Sequence, residues 1–228
     1  PHSETAPADL LSGLTTIFAP GSPGLVAVLS STAAPVLLDA KGLPVIAAAT
    51  LGEARIIAFG HGSYATPDAF KREDDAALIT RLIRWAGRGG ETVGVTDESL
   101  AAALTRAGFR PILLGRDFAA AEGSAPDVLL LSESRLTPAR REMVTKHLAA
   151  GRGVLVAQTG WGWQQLNNDA PMDQNHWNQV LAPAGLSFTD QFADKNGGGA
   201  FDAVPPGEFA HPISALQRLA ASDQKLDR

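Results

Sequence analysis

The sequence predicts a mixed α/β fold in which helices flank a parallel sheet, preceded by an amino-terminal β-rich meander. From residue 91 onward, short apolar runs alternate with helical patterns, which predicts right-handed strand–helix–strand crossovers in a parallel sheet. Before residue 90, four apolar runs follow one another closely, separated by turn pairs such as Lys41-Gly42 and Gly52-Glu53. We therefore divide the chain into a β-rich part with one helix, residues 1–90, and an α/β part, residues 91–228. We expect both parts to pack in the same domain.

The first part contains one short helix, four strands and one long helix. The short helix is predicted over residues 8–14, before a loop rich in proline and glycine. Between Asp68 and Ala86 the apolar residues have helical spacing, and Gly87 ends this helix. The predicted strands are residues 25–29, 35–39, 45–50 and 55–60.

The second part alternates strands with helices. Residues 127–131 form a continuous apolar run, which is typical of a strand buried on both faces. Thr137 and Pro138 are the expected N-cap and first residue of a helix that runs to about Ala150. The other predicted elements are strands at residues 92–95, 111–114 and 154–157 and helices at residues 98–107 and 213–221.

Composition excludes several classes of protein. The 228 residues are 45% hydrophobic and carry a net charge of −5, which favours a well-packed core and argues against a nucleic-acid partner. The absence of cysteine excludes disulfides, Cys-ligated zinc, iron–sulfur clusters and thiol catalysis. The five histidines, at positions 2, 61, 147, 176 and 211, show no paired ligand spacing, so we expect no metal and no other cofactor.

Membrane insertion and localisation follow from the same composition. No apolar run reaches the ~20 residues that span a bilayer, so we expect no membrane insertion. A cysteine-free chain fits a bacterial cytoplasm as well as export to a periplasm or medium, and localisation stays open. The start at Pro1 and the polar end at Arg228 are expected of a segment processed or excised from a longer protein.

The loop after residues 154–157 is the first candidate site, because ligands of open α/β sheets bind outside the carboxyl ends of the strands. Trp161 and Trp163 stand in this loop among amide side chains, a composition that suits a glycan or a peptide. The alternative is that both indole rings fill the core beneath the loop. The candidate ligand-binding residues here are Gln158, Thr159, Trp161, Trp163 and Gln164.

The turn Gly60-His61-Gly62-Ser63-Tyr64 is the second candidate site. Its small residues leave room for a ligand beside the His61 imidazole, so His61 and Tyr64 join the candidate set. The alternative is that His61 only binds a loop carbonyl.

Helical spacing makes predictions for three residues outside the candidate sites. His147 lies beside Lys146 on a predicted helix and is expected to be solvated. Trp85 and Trp177 are expected in the core.

Three segments of the second part carry a first resemblance. They are Leu129-Leu130-Leu131-Ser132, Leu136-Thr137-Pro138-Ala139-Arg140-Arg141 and Ala149-Ala150-Gly151-Arg152-Gly153-Val154-Leu155-Val156. Together they resemble the strand–helix–strand unit of class I glutamine-amidotransferase-like (flavodoxin-like) and trehalose-utilisation-type domains. In a working amidotransferase a nucleophilic cysteine follows the last strand, where this chain has Gln158, Thr159 and Gly160. The resemblance implies the fold without this reaction, and we predict no catalytic residue.

A second resemblance covers most of the chain. It is carried by Ala34 to Asp39, Leu51 to Tyr64, Gly153 to Val156 with Trp161-Gly162-Trp163, and Asn175, Asn178, Leu181, Pro183, Ala184 and Gly185. These segments resemble the amino-terminal region of the TRPM-channel-associated factors and of bacterial proteins with an enhancin-like (gluzincin-type) peptidase domain. The resemblance implies an amidotransferase-like domain ahead of a zinc peptidase module. This chain has no His-Glu-x-x-His, so the peptidase activity carries over to none of its residues.

Three functions remain open, and whether the chain is an enzyme stays open with them. The first is a non-catalytic accessory or binding domain of a larger, peptidase-containing bacterial protein, with a glycan, a peptide or a downstream domain as partner. A binding domain exposes Trp161 or Trp163 on a concave surface. The second is a purely structural spacer, which buries both rings.

The third function is a hydrolase with a hydroxyl nucleophile and a histidine base. A hydrolase places a histidine within hydrogen-bond reach of a hydroxyl group. Its residues would be Ser63 or Thr159, with His61 or His176 and Asp39 or Asp97.

Overall fold

A computed structural model describes residues 9–119, 125–132, 136–207, 210–216 and 219. The described strands are β1 (Thr16–Phe18), β2 (Gly24–Val28), β3 (Ala33–Leu38), β4 (Pro44–Leu51), β5 (Ala54–Phe59), β6 (Thr92–Val95), β7 (Arg110–Leu113), β8 (Val128–Leu131), β9 (Gly153–Ala157), β10 (Leu186–Phe192) and β11 (Ala200–Asp202). The α-helices are α1 (Glu73–Ala86), α2 (Glu98–Arg106), α3 (Pro138–Ala149), α4 (Gly160–Leu166) and α5 (His176–Leu181). Short 3₁₀ helices lie at Gly62–Ala65, Pro67–Lys71, Met172–Gln174 and Ala182–Ala184.

Seven strands form the central sheet in the order β3-β4-β5-β9-β8-β6-β7. Strands β5, β9, β8, β6 and β7 run parallel, whereas β3 and β4 are antiparallel. This confirms a mixed α/β fold with a mostly parallel sheet and flanking helices. Strands from both sides of residue 90 share the sheet, because β5 pairs with β9 from Ile56↔Val154 to Phe59↔Ala157.

Both faces of the sheet are covered, and alternation along β5 shows how. Ile57 and Phe59 pack in the same core cluster as apolar residues of α1 and α2. Ile56 and Ala58 point the other way, into a cluster with apolar residues of α3, α5, β2 and β10. A strand buried on both faces has to be apolar throughout, which explains the continuous apolar runs of β5, β8 and β9.

The predicted meander is wrong in its first strand. Only β3, β4 and β5 form it, while β2 pairs antiparallel with β10 in a separate two-stranded sheet, with Leu186 opposite Val28. The predicted helix over residues 8–14 is also wrong where it is described, because residues 9–13 form turns. The long helix α1 begins at Glu73, since Pro67 starts a separate 3₁₀ helix ahead of it.

Helix α3 has the predicted bounds. The Thr137 hydroxyl accepts a hydrogen bond from the Arg140 backbone N–H, which confirms the N-cap. Trp85 and Trp177 are buried, as predicted. Of the helix predicted at residues 213–221, residues 212–216 are helical and the others, apart from 219, lie outside the described residues. None of the described helices is both long and apolar enough to cross a bilayer.

His147 is buried, so the prediction that it is solvated is wrong. It is 3% exposed on the inner side of α3, and its Nε2 lies 3.0 Å from the Gly153 carbonyl oxygen. Burial lowers the pKa of His147 to about 4. The imidazole is therefore neutral at pH 7 and donates its proton to this carbonyl.

The connection from β7 to β8 starts with a loop that buries an aromatic ring. Phe118 has φ 61° and is fully buried in the cluster with Leu129 and Leu131. The Arg140 guanidinium covers the ring at 4.7 Å from its centroid. A bulky residue rarely adopts this left-handed backbone, so burial of the ring offsets a local strain.

Candidate functional site

The two candidate segments meet at the carboxyl ends of β5 and β9. These strands are neighbours, and the Gln158 backbone N–H donates to the Phe59 carbonyl at 3.0 Å. The turn that starts at His61 and the segment that starts at Gln158 therefore leave the sheet side by side. Ser132, which follows β8, donates from Oγ to the Gly62 carbonyl at 3.1 Å and ties a third strand end to this edge.

The segment after β9 was predicted as a loop, and the structure corrects this to the helix α4. Two glycines in seven residues disfavour a helix on propensity alone. Gly160 is required by packing, because a Cβ atom there would collide with the carbonyl oxygen of Thr189 in β10. Thr159 is half-buried at the N-cap of α4.

Trp161 lies on the open side of α4 and contacts two other elements. Its ring stacks on Phe192 of β10, with the centroids 4.7 Å apart and the planes at 29°. Its indole Nε1 donates to the Ser22 carbonyl at 3.0 Å. Trp161 is half-buried and Phe192 is 55% exposed, so the pair presents an aromatic surface to solvent. We call Trp161 and Phe192 the aromatic platform.

The other candidates after β9 lie deeper. Trp163 is buried at 8% exposure. Gln158 is buried too, and its Oε1 accepts a hydrogen bond from Asn175 Nδ2 at 2.7 Å. Gln164 is half-buried, with its Nε2 at 3.5 Å from the Ala170 carbonyl. A ligand at this edge would therefore meet Thr159, Trp161 and Gln164 before the buried pair.

His61 is half-buried and caps the 3₁₀ helix Gly62–Ala65. Its Nδ1 accepts a hydrogen bond from the Ser63 backbone N–H at 3.1 Å, so the neutral ring carries its proton on Nε2. Nε2 lies beside Gly21. Burial and the nearby Lys195 lower the pKa of His61, so the ring is neutral at pH 7 and offers a donor.

Tyr64 lies inside the molecule. Its hydroxyl donates to the Phe18 carbonyl at 2.8 Å, and its ring stacks on Phe59 with the centroids 5.5 Å apart. Burial raises the pKa of Tyr64 well above its ordinary value, and Asp75 adds to the effect. The side chain supports the His61 turn from below.

Among the described residues, the histidines named for a hydrolase form no hydrogen bond with a hydroxyl group. His61 receives its hydrogen bond from the backbone of Ser63, not from the side chain. His176 Nδ1 lies 2.7 Å from the Leu136 carbonyl.

The two carboxylates named for a hydrolase serve local structure. Asp39 accepts hydrogen bonds from the backbone N–H groups of Lys41, Leu43 and Asp194. Asp97 caps α2 by accepting from the Leu100 N–H at 2.6 Å. Each carboxylate therefore has a backbone partner that explains its position.

One concave region of the described residues adjoins the candidate site, and a larger one lies away from it. A cavity of about 230 Å³ adjoins the His61 turn and is lined by Phe18, Gly21, Ser63, Arg72 and Asp75, among others. A larger groove of about 1110 Å³ lies between α3 and α5, away from the candidate residues.

Sequence reasoning missed Phe192 and Asp75. Phe192 lies in a strand that was not predicted, and Asp75 resembles any acidic residue in the first turn of a helix.

The chain is similar in fold to solved structures of IMPa. One is the structure of IMPa from Pseudomonas aeruginosa in complex with an O-glycopeptide, with 18% identity, a TM-score of 0.58, and coverage of 93% of this chain and 24% of that chain. Another is the IMPa metallopeptidase in complex with T-antigen, with 18% identity, a TM-score of 0.53 and the same coverage. The chain thus spans about a quarter of the length of the IMPa chains it matches. No curated protein sequence matches it.

A family model described as "TRPM8, N-terminal domain" matches residues 6–206. The match includes every strand of the central sheet, both candidate segments and the aromatic platform. The chain therefore belongs to the TRPM8 N-terminal domain family.

Proposed function

We propose that this chain is a non-catalytic binding domain that binds a glycan or a peptide at the carboxyl edge of its sheet. The binding surface consists of the aromatic platform, His61, Thr159 and Gln164. The observation that carries the proposal is the stack of Trp161 on Phe192, which leaves aromatic surface open to solvent at this edge. A spacer domain has no need of such a surface.

The platform is held in place before any ligand arrives. The bond from Trp161 Nε1 to the Ser22 carbonyl and the stack on Phe192 restrict the indole ring from two sides. A ring fixed in this way loses little side-chain entropy when a sugar or peptide packs against it. The neutral His61 adds a donor on the neighbouring turn.

We also propose that the fold is the class I amidotransferase-like (flavodoxin-like) one. The spatial order β7-β6-β8-β9 supports this assignment, since it is the 2-1-3-4 order of a flavodoxin-like sheet. Where a working amidotransferase has its nucleophilic cysteine, Gln158 of this chain is buried and hydrogen-bonded, and Gly160 has no side chain. These features support a domain without amidotransferase catalysis.

The whole protein is proposed to be a larger, peptidase-containing bacterial protein in which this domain is an accessory module. The IMPa structures support the proposal, because they are described as metallopeptidase complexes with an O-glycopeptide and with T-antigen. Its partner is then a glycan, a peptide or a downstream domain. Residues 1–90 and 91–228 are proposed to fold as one unit, supported by the pairing of β5 with β9.

Isothermal titration calorimetry tests the function on the 228-residue chain. The ligands are mucin-type glycopeptides, peptidoglycan fragments and the matching unmodified peptides. We expect at least one ligand to bind saturably and Trp161→Ala or Phe192→Ala to weaken it at least about tenfold, or ~1.4 kcal/mol. Leu113→Ala is the control, because Leu113 is exposed on β7 at the far side of the sheet. Equal affinity of all three variants would contradict the proposal.

A further inference from the structure

The cavity of about 230 Å³ beside the His61 turn adjoins the aromatic platform through one loop. Gly21 lines the cavity, and the next residue, Ser22, accepts the hydrogen bond from Trp161 Nε1. Consecutive residues of this loop therefore contact the cavity and the platform.

Asp75 is a buried carboxylate at the wall of this cavity. It lies in the first turn of α1 and is 3% exposed. Its Oδ1 accepts the Phe18 backbone N–H at 2.9 Å, whereas Oδ2 receives no hydrogen bond from any described residue. Among the described residues, Trp85 Nε1 is the sole fully enclosed side-chain polar atom without a hydrogen-bond partner. Because Oδ2 of Asp75 also lacks a partner, it must be solvent-accessible. This oxygen is therefore open to a hydrogen-bond donor that enters the cavity.

Electrostatics agree with this geometry. Burial raises the pKa of Asp75, and the neighbouring Asp74 raises it further, whereas the Phe18 N–H and Arg72 act in the opposite direction. The net direction means that the contacts within the chain compensate the charge only in part.

Two hydrogen-bond donor groups line the same cavity. The Arg72 guanidinium covers the Phe18 ring at 3.7 Å from its centroid, and its Nη1 makes only a long contact of 3.4 Å with the Asp68 carbonyl. Ser63 lines the same cavity, and its hydroxyl makes no hydrogen bond with the described residues. The cavity thus presents a carboxylate acceptor, a guanidinium donor and a hydroxyl that does both.

This mixture of charges disfavours a simple cation and a simple anion. A cation drawn to Asp75 would face Arg72, and an anion drawn to Arg72 would face Asp75 and Asp68. Two neighbouring hydroxyl groups of a neutral sugar satisfy both, because one donates to the carboxylate and the other accepts from the guanidinium. A volume of about 230 Å³ equals roughly eight water molecules at ~30 Å³ each, which suits one pyranose ring.

We propose that this cavity is a subsite for a single neutral sugar unit, with Asp75 as acceptor, Arg72 as donor and Ser63 as the third contact. The inference rests on the proposed function and deepens it, since it makes the ligand a glycan. The rest of the glycan would cross the loop at Gly21 and Ser22 and reach the aromatic platform.

Amide chemical-shift mapping of the whole chain tests the subsite. The neutral probes are galactose, glucose, mannose and N-acetylglucosamine, and the charged probes are methylammonium and inorganic phosphate. Asp75→Asn keeps an oxygen for the Phe18 N–H and replaces the free acceptor by a donor. Ser63→Ala is the second variant, and Glu73→Gln is the control, because Glu73 is an exposed carboxylate in the same turn of α1.

We expect at least one sugar to shift the amides of Ser63, Thr66 and Asp75 saturably. Asp75→Asn should weaken this binding at least about tenfold and Ser63→Ala less, with no effect of Glu73→Gln. Shifts with methylammonium or phosphate but not with sugars, no shifts at all, or sugar binding unchanged in both cavity variants would overturn the inference. If Trp161→Ala abolishes glycan binding and Asp75→Asn does not, the subsite fails while the proposed function stands. If binding depends on Asp75 and not on Trp161, the subsite stands and the platform fails.

Discussion

The ring of Trp161 stacks on the ring of Phe192 with their centroids 4.7 Å apart. The two residues belong to α4 and β10, and the Ser22 carbonyl ahead of β2 fixes the indole from a third element. Because β2 and β10 pair with each other, both contacts depend on the same two-stranded sheet. The platform is therefore a product of tertiary packing at the sheet edge.

Acrylamide quenching should identify Trp161 as the accessible tryptophan. Three tryptophans are buried: Trp85 is 7% exposed, Trp163 is 8% exposed and Trp177 is 0% exposed. Trp161 is only half-buried. We expect Trp161→Ala to remove most of the quencher-accessible emission and to shift the remaining emission to the blue. Trp163→Phe serves as the control and should leave the accessible emission in place.

Asn175 should be important for stability. Its Nδ2 donates to Gln158 Oε1, and its Oδ1 accepts the Trp177 N–H at the start of α5. Asn175→Ala removes both bonds in a fully buried place and should lower the free energy of unfolding by about 2–4 kcal/mol. Urea unfolding measures this loss. The control is Gln165→Ala, on the exposed side of α4, whose free energy of unfolding should stay within about 0.5 kcal/mol of that of the parent. Similar losses for both variants would refute this role.

Truncation of Phe118 should lower the free energy of unfolding strongly, and glycine should be tolerated at this position about as well as alanine. Phe118→Ala empties a fully buried site and should cost about 3–5 kcal/mol in chemical unfolding. At φ 61° an alanine keeps the left-handed strain and a glycine does not. The relief of strain offsets the greater chain entropy that glycine gives the unfolded state. We therefore expect the free energies of unfolding of Phe118→Gly and Phe118→Ala to agree within about 0.5 kcal/mol. A glycine variant much less stable than the alanine variant would show that the backbone is unstrained.

His147 should make the fold sensitive to acid. The unfolded chain binds this proton near pH 6.5 and the folded chain near pH 4, so the unfolded state binds more protons between these values. Stability should therefore fall as the pH falls from about 6.5 to about 4, by at most ~1.4 kcal/mol per pH unit. Between pH 7 and pH 4.5 the parent should lose about 2 kcal/mol more than His147→Gln in urea unfolding. Equal losses would mean that His147 is not the group responsible.

The strands and helices between residues 92 and 157 could be predicted because their signals are local. Thr137 and Pro138 mark the start of α3 by capping and by a fixed backbone angle, and the apolar run of β8 marks a strand covered on both faces. Each of these signals lies within the element that it predicts.

The errors at β2 and α4 concern contacts between residues far apart in the chain. The apolar run of β2 resembles those of β3 to β5, and nothing within it indicates pairing with β10, more than 150 residues away. Helix α4 was missed because Gly160 and Gly162 signal a loop, whereas the structure uses Gly160 for a close approach to Thr189.

The candidate site could be predicted only in position. The rule that ligands bind at the carboxyl ends of parallel strands selected the segment from Gln158. The structure places the His61 turn at the same edge, because β5 pairs with β9. Sequence could not separate the outward Trp161 from the buried Trp163, because that depends on the direction of a helix that was not predicted. Phe192 and Asp75 enter the site only through tertiary contacts.

The indole N–H signals in a nitrogen–proton correlation spectrum test the proposed binding surface at Trp161 itself. The chain has four tryptophans, so it gives four such signals, which single Trp→Phe variants assign. On titration with a glycopeptide that binds, we expect a saturable shift of the Trp161 signal, while the signals of Trp85 and Trp177 stay in place. Saturable binding that leaves the Trp161 signal unchanged would refute the aromatic platform as the binding surface and place the ligand elsewhere on the domain.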